Sequence, residues 1–250
     1  MARPEPIARW LRQQMTAAGV RGFVVGLSGG LDSAVVARLA QLAAPSAVVA
    51  ALLPCHSDPV DEADAAAVAA QFSLTTVRID LSSACDELTA GSQAALKTLP
   101  AQQRQPPSAD RRPIANIKSR LRMTALYFLA NSLNCLVAGT SNRAAIAAGH
   151  FTKHGDGGVD LQPLGRLLKR EVRSMARDLG VPAQIIARVP SAGLWIGQTD
   201  EEELGFSYDE LDRYLDEGPE AVAPATALKI ERRIRSAEHK TQLPPMPEEQ

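Results

Sequence analysis

A glycine-rich hexapeptide at residues 28–33, Ser-Gly-Gly-Leu-Asp-Ser, carries the clearest chemical signal in the sequence. It lies between an apolar run predicted as a buried strand and a segment predicted as a helix. Successive backbone N–H groups in such a turn can form an anion site, and the helix N-terminus adds partial positive charge. The carboxylate of Asp32 would repel a bare phosphate, so its presence predicts a Mg²⁺ ion between Asp32 and a pyrophosphate group. The turn is therefore predicted to bind the phosphates of a nucleotide.

Other interpretations of this turn fit less well. A Walker P-loop requires a Gly-Lys-Ser/Thr sequence, which is absent, and the glycines do not match the GxGxxG dinucleotide pattern. Residues 26–30 do match the GxSxG nucleophile elbow of serine hydrolases, and three histidines lie downstream to complete a triad, namely His150, His154 and His239. The elbow leaves Asp32 without a role. It stays open as an alternative, as does a tight turn that binds no ligand.

Strands and helices alternate along the chain in the pattern of an α/β protein. The predicted strands are residues 23–27, 47–53, 75–79 and 135–139. The predicted helices are residues 4–19, 34–43, 61–72, 116–133, 169–179, 208–215 and 223–237. A further short helix is predicted to be capped within residues 140–142 and to end at residue 148. This alternation predicts a doubly wound, mostly parallel sheet with helices on both faces. No hinge separates two cores, so residues 1–250 are predicted to form a single domain. Residues 99–113 and 190–206 are predicted loops, which we expect to close over bound ligands.

Composition argues against several classes of protein. Acidic and basic residues nearly balance, giving a net charge of -1, so we expect no nucleic-acid partner. The three cysteines form no CxxC pair and the four histidines no HExxH pair, which argues against a disulfide framework and a zinc site. The N-terminus shows no apolar signal sequence, and the longest uncharged run, residues 39–57, is interrupted by prolines. We therefore expect a cytoplasmic protein without a membrane partner.

The hexapeptide resembles the SGGxDS signature of the ATP pyrophosphatases, also called PP-loop enzymes. Further blocks follow in order between residues 116 and 240, namely NIKSRLRM, GTSNRAA, GHFTKHGDGGVDLQPL, LLKREVRSMARDLGVP, PSAGLWIGQTDEEELGFSYDELD and EHK. Together they resemble the ammonia-dependent NAD⁺ synthetase family over residues 5–245, which implies an adenine nucleotide alpha-hydrolase-like fold. Because the chain has no room for the nitrilase-like glutamine amidotransferase domain of the glutamine-dependent form, ammonia, either free or supplied by a partner, is the expected nitrogen donor.

The resemblance implies a two-step ligase reaction with ATP as cosubstrate and Mg²⁺ as cofactor. The nicotinate carboxylate of deamido-NAD⁺ attacks the α-phosphate of ATP, pyrophosphate leaves, and ammonia converts the acyl-adenylate to NAD⁺ and AMP. Adenylation is needed because a carboxylate is anionic and would have to expel oxide to react with an amine. Since the carboxylate and the triphosphate repel each other, the site needs cations and hydrogen-bond donors.

The resemblance also implies roles for particular residues. Those expected to bind ATP are Gly26, Leu27, Ser28, Gly29, Gly30, Leu31, Asp32, Ser33, Thr140, Lys169 and Ser191. Those expected to bind deamido-NAD⁺ are Arg120, Lys153, Asp160, His239 and Lys240, with Arg122 and Phe151 as further candidates. The expected Mg²⁺ ligand is Asp32, and the expected catalytic residues are Asp32, Lys153 and Lys169. The family is homodimeric with the dinucleotide at the subunit boundary, so a homodimer is expected.

One position departs from the family pattern. The family usually places a second Mg²⁺ ligand, a glutamate, where this sequence has Ala145. Alanine cannot bind a metal ion, so another group compensates, or the second ion binds weakly, or activity is reduced. Two alternatives therefore stay open: a different PP-loop ligase that adenylates another substrate, and a nucleotide-binding protein without catalysis.

Overall fold

A four-stranded parallel β-sheet forms the centre of the structure, a computed structural model that describes residues 3–103, 111–195 and 197–247. The strands are β1 (Gly22–Gly26), β2 (Val48–Leu52), β3 (Thr75–Arg78) and β4 (Cys135–Val137), in the order β3-β2-β1-β4. Neighbouring strands pair in parallel throughout. The predicted α/β fold with a parallel sheet is therefore confirmed.

Eleven α-helices accompany the sheet within the described residues. They are α1 (Pro4–Ala18), α2 (Leu31–Ala43), α3 (Pro59–Gln71), α4 (Ser82–Lys97), α5 (Arg112–Leu133), α6 (Arg143–Ala147), α7 (Lys169–Asp178), α8 (Ala183–Ala187), α9 (Asp200–Leu204), α10 (Tyr208–Glu217) and α11 (Pro224–Ala237). Side-chain caps fix several starts, since the side chains of Asp58, Asn142, Thr199 and Ser207 accept a backbone N–H from the first turn of the helix that follows. None of the helices in the described part of the chain has the length and hydropathy to cross a bilayer.

Helices cover both faces of the sheet because alternate side chains of each strand point to opposite faces. On β1, Phe23 and Val25 belong to one core, which packs against α1, α2, α3 and α7. Val24 points the other way, into a second core formed with α4 and α5. A third apolar cluster joins α6, α10 and α11 around Leu211 and Ile230. The third cluster holds the C-terminal helices against the carboxyl end of the sheet, next to α6.

The chain changes direction within the sheet between β1 and β4. From β1 the chain passes to β2 and β3 on one side, and it returns to place β4 on the other side of β1. In open parallel sheets, ligands bind outside the carboxyl ends of the strands at such a switch point. The segments that leave β1 and β4, residues 27–30 and 138–142, meet there.

Helices α4, α8 and α9 and the start of α5 lie outside the predicted elements. Among the residues of α4 only Cys85 is buried, so no apolar period marks this helix, while α8 and α9 have five residues each. Helix α9 lies within the predicted loop 190–206. Helix α5 begins four residues before its predicted start and has Pro113 in its first turn. The parts of the two predicted loops at residues 104–110 and 196 lie outside the described residues.

Candidate active site

The turn between β1 and α2 is held by its own two serines. The Ser33 hydroxyl donates to the carbonyl of Gly30 at 2.9 Å and accepts from the backbone N–H of Ser28 at 3.2 Å. The Ser28 hydroxyl lies 3.1 Å from that of Ser33 and accepts from the N–H of Gly30. Since α2 begins at Leu31, its N-terminus lies directly behind the turn. The turn thus has the fixed shape and partial positive charge that an anion site requires.

Gly29 is the residue of the turn whose backbone conformation excludes a side chain. Its φ is +81°, and an added Cβ would lie 2.3 Å from the carbonyl oxygen of Asp61 on α3. Gly30 differs, because its φ lies in the ordinary range and an added Cβ would meet only the Ser28 hydroxyl at 3.4 Å. Glycine is therefore needed at position 29 for close packing of the turn on α3.

Replacing Gly29 with alanine is expected to destabilise the protein by more than about 2 kcal/mol. The positive φ strains a residue that has a side chain, and the added Cβ would also clash with the carbonyl oxygen of Asp61. Chemical denaturation measures the free energy of unfolding. The matched control is Gly30→Ala, for which we expect a change below about 1 kcal/mol. Equal stability of the two variants would show that the turn does not need the left-handed glycine.

Asp32 lies in the first turn of α2 and is held from two sides. Its Oδ1 accepts from the side-chain amide of Asn142 at 3.1 Å, and its Oδ2 accepts from the Lys169 ammonium at 2.5 Å. Lys169 is only 3% exposed, and its Nζ also lies 5.2 Å from the centre of the Tyr208 ring. The carboxylate is therefore fixed at the switch point, between segments that follow β1 and β4.

Asp212 on α10 fixes the start of α7, and so the position of Lys169. Its two carboxylate oxygens accept the backbone N–H groups of Lys169 and Arg170 at 3.1 and 2.8 Å. Burial raises the pKa of Asp212, although these two donors oppose the rise. The buried carboxylate of Asp212 thus caps the N-terminus of α7 and orients Lys169, which contacts Asp32.

A cleft of about 620 Å³ opens above the turn and collects most of the residues predicted to bind ATP. All of them except Gly29 line the cleft, namely Gly26, Leu27, Ser28, Gly30, Leu31, Asp32, Ser33, Thr140, Lys169 and Ser191. Among the described residues, no histidine forms a hydrogen bond with Ser28. The structure therefore gives no support to a serine-hydrolase triad at this turn.

Four of the residues predicted to bind the dinucleotide fall into two groups. Lys240 lines the cleft and donates to the carbonyls of Gly149 and Phe151, both at 2.7 Å. The Arg120 guanidinium donates to the carbonyl of Lys153, whose ammonium donates to the carbonyl of His239. This second group forms a basic cluster on the exterior, outside the lining of the cleft.

Asp160 has structural partners on the side of the sheet that α5 covers. Its carboxylate accepts from the Tyr127 hydroxyl at 3.0 Å and from the backbone N–H of Val137 at 2.8 Å. The two bonds join β4, α5 and the segment that follows Asp156. Asp160 does not line the cleft.

Ala145 lines the cleft in the first turn of α6 and offers no side-chain oxygen. Its backbone N–H is bound by the Asn142 side chain at 3.0 Å, and its carbonyl accepts from the N–H of His150. Within the described ranges, no group of three or more His, Cys, Asp or Glu side chains is arranged to hold a metal ion. The donor set therefore suits a metal ion held by Asp32 together with a ligand, rather than an all-protein metal site.

Several residues of the site were not found by sequence reasoning. Arg188, just before the predicted loop 190–206, forms ion pairs with Asp61 and Asp64 on α3. Buried Asp200 contacts both His150 and Tyr208 across the cleft wall. Asn142 was predicted only as a helix cap, and it also binds Asp32. Except for the contact between Asp200 and Tyr208, these contacts join segments far apart in sequence, and no local pattern marks them.

Comparison with known proteins assigns the chain to a family. The sequence model of NAD synthase matches residues 4–244. The chain belongs to the NAD synthase family. The NH(3)-dependent NAD(+) synthetase of Carboxydothermus hydrogenoformans is 44% identical over 97% of this chain and 96% of its own length.

Solved structures of the NAD synthase family show the same fold. The structure of NMN synthetase from Francisella tularensis has a TM-score of 0.88 at 34% identity and covers 98% of this chain and 96% of that chain. The NAD⁺ synthetase of Burkholderia pseudomallei has a TM-score of 0.76 at 33% identity and covers 96% of this chain and 89% of its own. This member of the family therefore keeps the family architecture over nearly its whole length.

Proposed function

We propose that this NAD synthase family member catalyses the ATP-dependent amidation of deamido-NAD⁺ with ammonia, giving NAD⁺, AMP and pyrophosphate. The observation that carries the proposal is the position of Asp32, held by Lys169 and Asn142 on a glycine turn at the switch point of the sheet. The names of relatives that share 38–45% of their residues with this chain support the same reaction. They also support ammonia as the nitrogen donor.

In the first step, the nicotinate carboxylate attacks the α-phosphate of ATP and pyrophosphate leaves. The N–H groups of the turn and the N-terminus of α2 bind the departing phosphates, with Thr140 and Ser191 as further ATP contacts. Lys169 supplies a buried positive charge that offsets the repulsion between the attacking carboxylate and the triphosphate.

The oxygen atoms around the turn fit one Mg²⁺ ion. Mg²⁺ in nucleotide sites is typically held by one or two carboxylates together with substrate phosphates and water, and Asp32 supplies one such carboxylate beside the Ser28 and Ser33 hydroxyls. When bound, the ion would neutralise charge that builds up on the leaving pyrophosphate. A second ion has no ligand at Ala145, so we propose that a single protein-held Mg²⁺ serves the reaction.

The dinucleotide is proposed to extend from the cleft toward the exterior basic cluster of Arg120, Lys153 and His239. Lys240 lies between the cleft and this cluster, next to Phe151 at the cleft wall. Positive charge along this path suits the pyrophosphate of deamido-NAD⁺. We retain Asp160 as a proposed dinucleotide contact, although its hydrogen bonds within the chain support a structural role.

We propose that two copies of the chain associate through α4 and α5, which brings the exterior basic cluster to a subunit boundary. These helices expose large apolar side chains within the described residues, namely Leu88, Leu96, Ile114, Phe128 and Leu133. Phe128 is 69% exposed on the helix that also carries Arg120. Burying such side chains favours association.

Replacing Phe128 with glutamate is expected to shift the sedimentation mass from twice 26.6 kDa to 26.6 kDa, because a charge would have to be buried in the interface. The matched control is Leu243→Glu, at a position 85% exposed near the C-terminus, which should leave the dimer intact. A wild-type mass of 26.6 kDa would refute the dimer.

The proposed activity is tested by incubating the protein with ATP, Mg²⁺, deamido-NAD⁺ and ammonium. We expect NAD⁺ and AMP in equal amounts, and no product when any one component is left out. Pyrophosphate release with a different carboxylic acid, but not with deamido-NAD⁺, would indicate another adenylating ligase. Nucleotide binding by calorimetry without turnover would indicate a binding protein without catalysis.

A second candidate substrate is the mononucleotide, nicotinate mononucleotide, with nicotinamide mononucleotide as product. The similarity to the Francisella tularensis NMN synthetase favours it, with a TM-score of 0.88 against 0.76 for the Burkholderia enzyme. The same assay with the mononucleotide in place of deamido-NAD⁺ decides between them through the ratio of kcat/KM values.

A further inference from the structure

We propose that His150, oriented by Asp200, accepts a proton from ammonium, so that the ammonia formed can attack the acyl-adenylate. The proposal rests on the proposed function and adds a catalytic residue and a positioning residue to it. Both residues line the cleft that contains Asp32 and Lys169.

His150 and Asp200 form a buried pair with little freedom to move. Their side chains are 10% and 9% exposed, and His150 Nε2 lies 3.1 Å from Asp200 Oδ1. Neither atom forms a hydrogen bond within residues 3–103, 111–195 and 197–247, so the 3.1 Å approach is an ion-pair contact whose angles lie outside hydrogen-bond geometry. Two buried polar atoms that face only each other at a ligand cleft indicate a group held ready for a reactant.

The second oxygen of Asp200 is held from the side of the phosphate site. Its Oδ2 accepts from the Tyr208 hydroxyl at 2.9 Å, and the Tyr208 ring lies beneath the Lys169 ammonium. This hydrogen bond fixes the carboxylate, and its negative charge beside Nε2 favours a proton on that nitrogen. Nδ1, which has no hydrogen-bond partner among the described residues, is then the nitrogen that can accept a proton.

Charged groups around His150 come from two elements. Asp200 and Glu203 face it from α9, and Arg233 faces it from α11. Burial disfavours the imidazolium, but the carboxylates of Asp200 and Glu203 together outweigh burial, so the pKa of His150 is raised above its ordinary value. Burial also opposes ionisation of Asp200, yet His150, Tyr208 and Lys169 together hold the pKa of this carboxyl below the usual range.

The chemistry needs such a base because ammonium has no lone pair. A proton passes from ammonium to His150 Nδ1, and the ammonia formed attacks the acyl carbon of the acyl-adenylate. The C–N bond forms, the bond between the acyl carbon and the AMP oxygen breaks with its electron pair leaving on AMP, and the new amide loses its extra proton to water. His150 then returns its proton to the solvent of the open cleft.

The test separates the two half-reactions in His150→Phe and in the conservative Asp200→Asn. Exchange of labelled pyrophosphate into ATP, which needs deamido-NAD⁺ but no ammonia, should stay within about twofold of wild type. Amidation with ammonium should fall about 100-fold in His150→Phe, within the range for loss of a general base. The rise of the wild-type rate with pH through the raised pKa of His150 should disappear.

Hydroxylamine distinguishes a base from a structural residue. It is already unprotonated at mildly alkaline pH, so it should trap the acyl-adenylate at the same rate in wild type and variants. If His150→Phe does not fold, Asp200→Asn decides, with an expected tenfold loss toward ammonium and none toward hydroxylamine. Unchanged amidation with ammonium, or equal losses with both nucleophiles, would overturn the role of His150. Absence of pyrophosphate exchange in the wild type would instead overturn the proposed function.

Discussion

Replacing Asp32 with asparagine is expected to lower kcat for NAD⁺ formation at least about 1000-fold while the protein stays folded. The substitution keeps the size of the side chain and one oxygen, but it removes the charge that would hold Mg²⁺ against the phosphates. It also removes the carboxylate partner of Lys169, whose ammonium contacts Oδ2. Steady-state assays give the loss of activity, and thermal unfolding shows whether the fold survives.

The loss of kcat in Asp32→Asn should come from the position of this carboxylate and not from the change in net charge. The matched control is Asp86→Asn on α4, where the carboxylate is exposed and pairs with His56. We expect less than twofold change in kcat for this control. The experiment contradicts the mechanism if Asp32→Asn retains a tenth or more of the wild-type kcat. Raising the Mg²⁺ concentration should restore little activity, because Asp32 belongs to no cluster of three or more His, Cys, Asp or Glu side chains in the described residues that could hold the ion without it.

The parallel sheet could be predicted from sequence because its signals are local. The strand at β1 is a continuous apolar run followed by a glycine turn, and the run at β2 is equally apolar. A buried parallel strand requires apolar residues on both faces, so the run itself identifies the strand. The sequence predicted no strand order; because the structure pairs β1 with β4 in parallel, the meeting of the turn with Thr140 follows from the geometry of the sheet.

The remaining contacts of the site could not be predicted, because tertiary packing creates them. Nothing near Asp200 in sequence indicates that it is buried, since it begins a run of four acidic residues that suggests a solvated loop. Only the packing of α9 and α10 against α6 brings its carboxylate to His150. Arg188 is similar, because the carboxylates it contacts lie more than a hundred residues earlier in the chain, on α3.

A further feature that the sequence did not predict is the exterior position of Arg120, Lys153 and His239, outside the lining of the cleft. The resemblance implied dinucleotide contacts for all three, and in one chain they contact each other through backbone carbonyls. Their distance from the lining of the cleft is understandable if a second subunit completes that part of the site. The Phe128→Glu variant therefore also bears on dinucleotide binding: if the proposed dimer forms, its loss should raise KM for deamido-NAD⁺ more than KM for ATP.

Replacing Lys169 with methionine is expected to reduce kcat/KM for ATP about 100- to 1000-fold. Methionine keeps the apolar volume of the lysine stem in a site only 3% exposed, so the fold should survive. The lost ammonium leaves Asp32 without its partner at Oδ2 and leaves the phosphates without a buried cation. Kinetic assays with ATP as the varied substrate measure the effect. Lys229→Met, on the exposed face of α11, is the matched control and should be neutral.

The double variant Asp32→Asn/Lys169→Met tests whether the two residues act as one unit. Their side chains are in direct contact, so the losses should not add, and the double variant should lose little more activity than Asp32→Asn alone. Fully additive losses in free energy would mean that Lys169 binds the phosphates without help from Asp32. Lys169→Arg should not restore the activity that Lys169→Met loses, because the wider guanidinium would have to fit between Asp32 and the Tyr208 ring at a position only 3% exposed. Losses that do not add would therefore place the positive charge that the reaction needs where α2 meets α7.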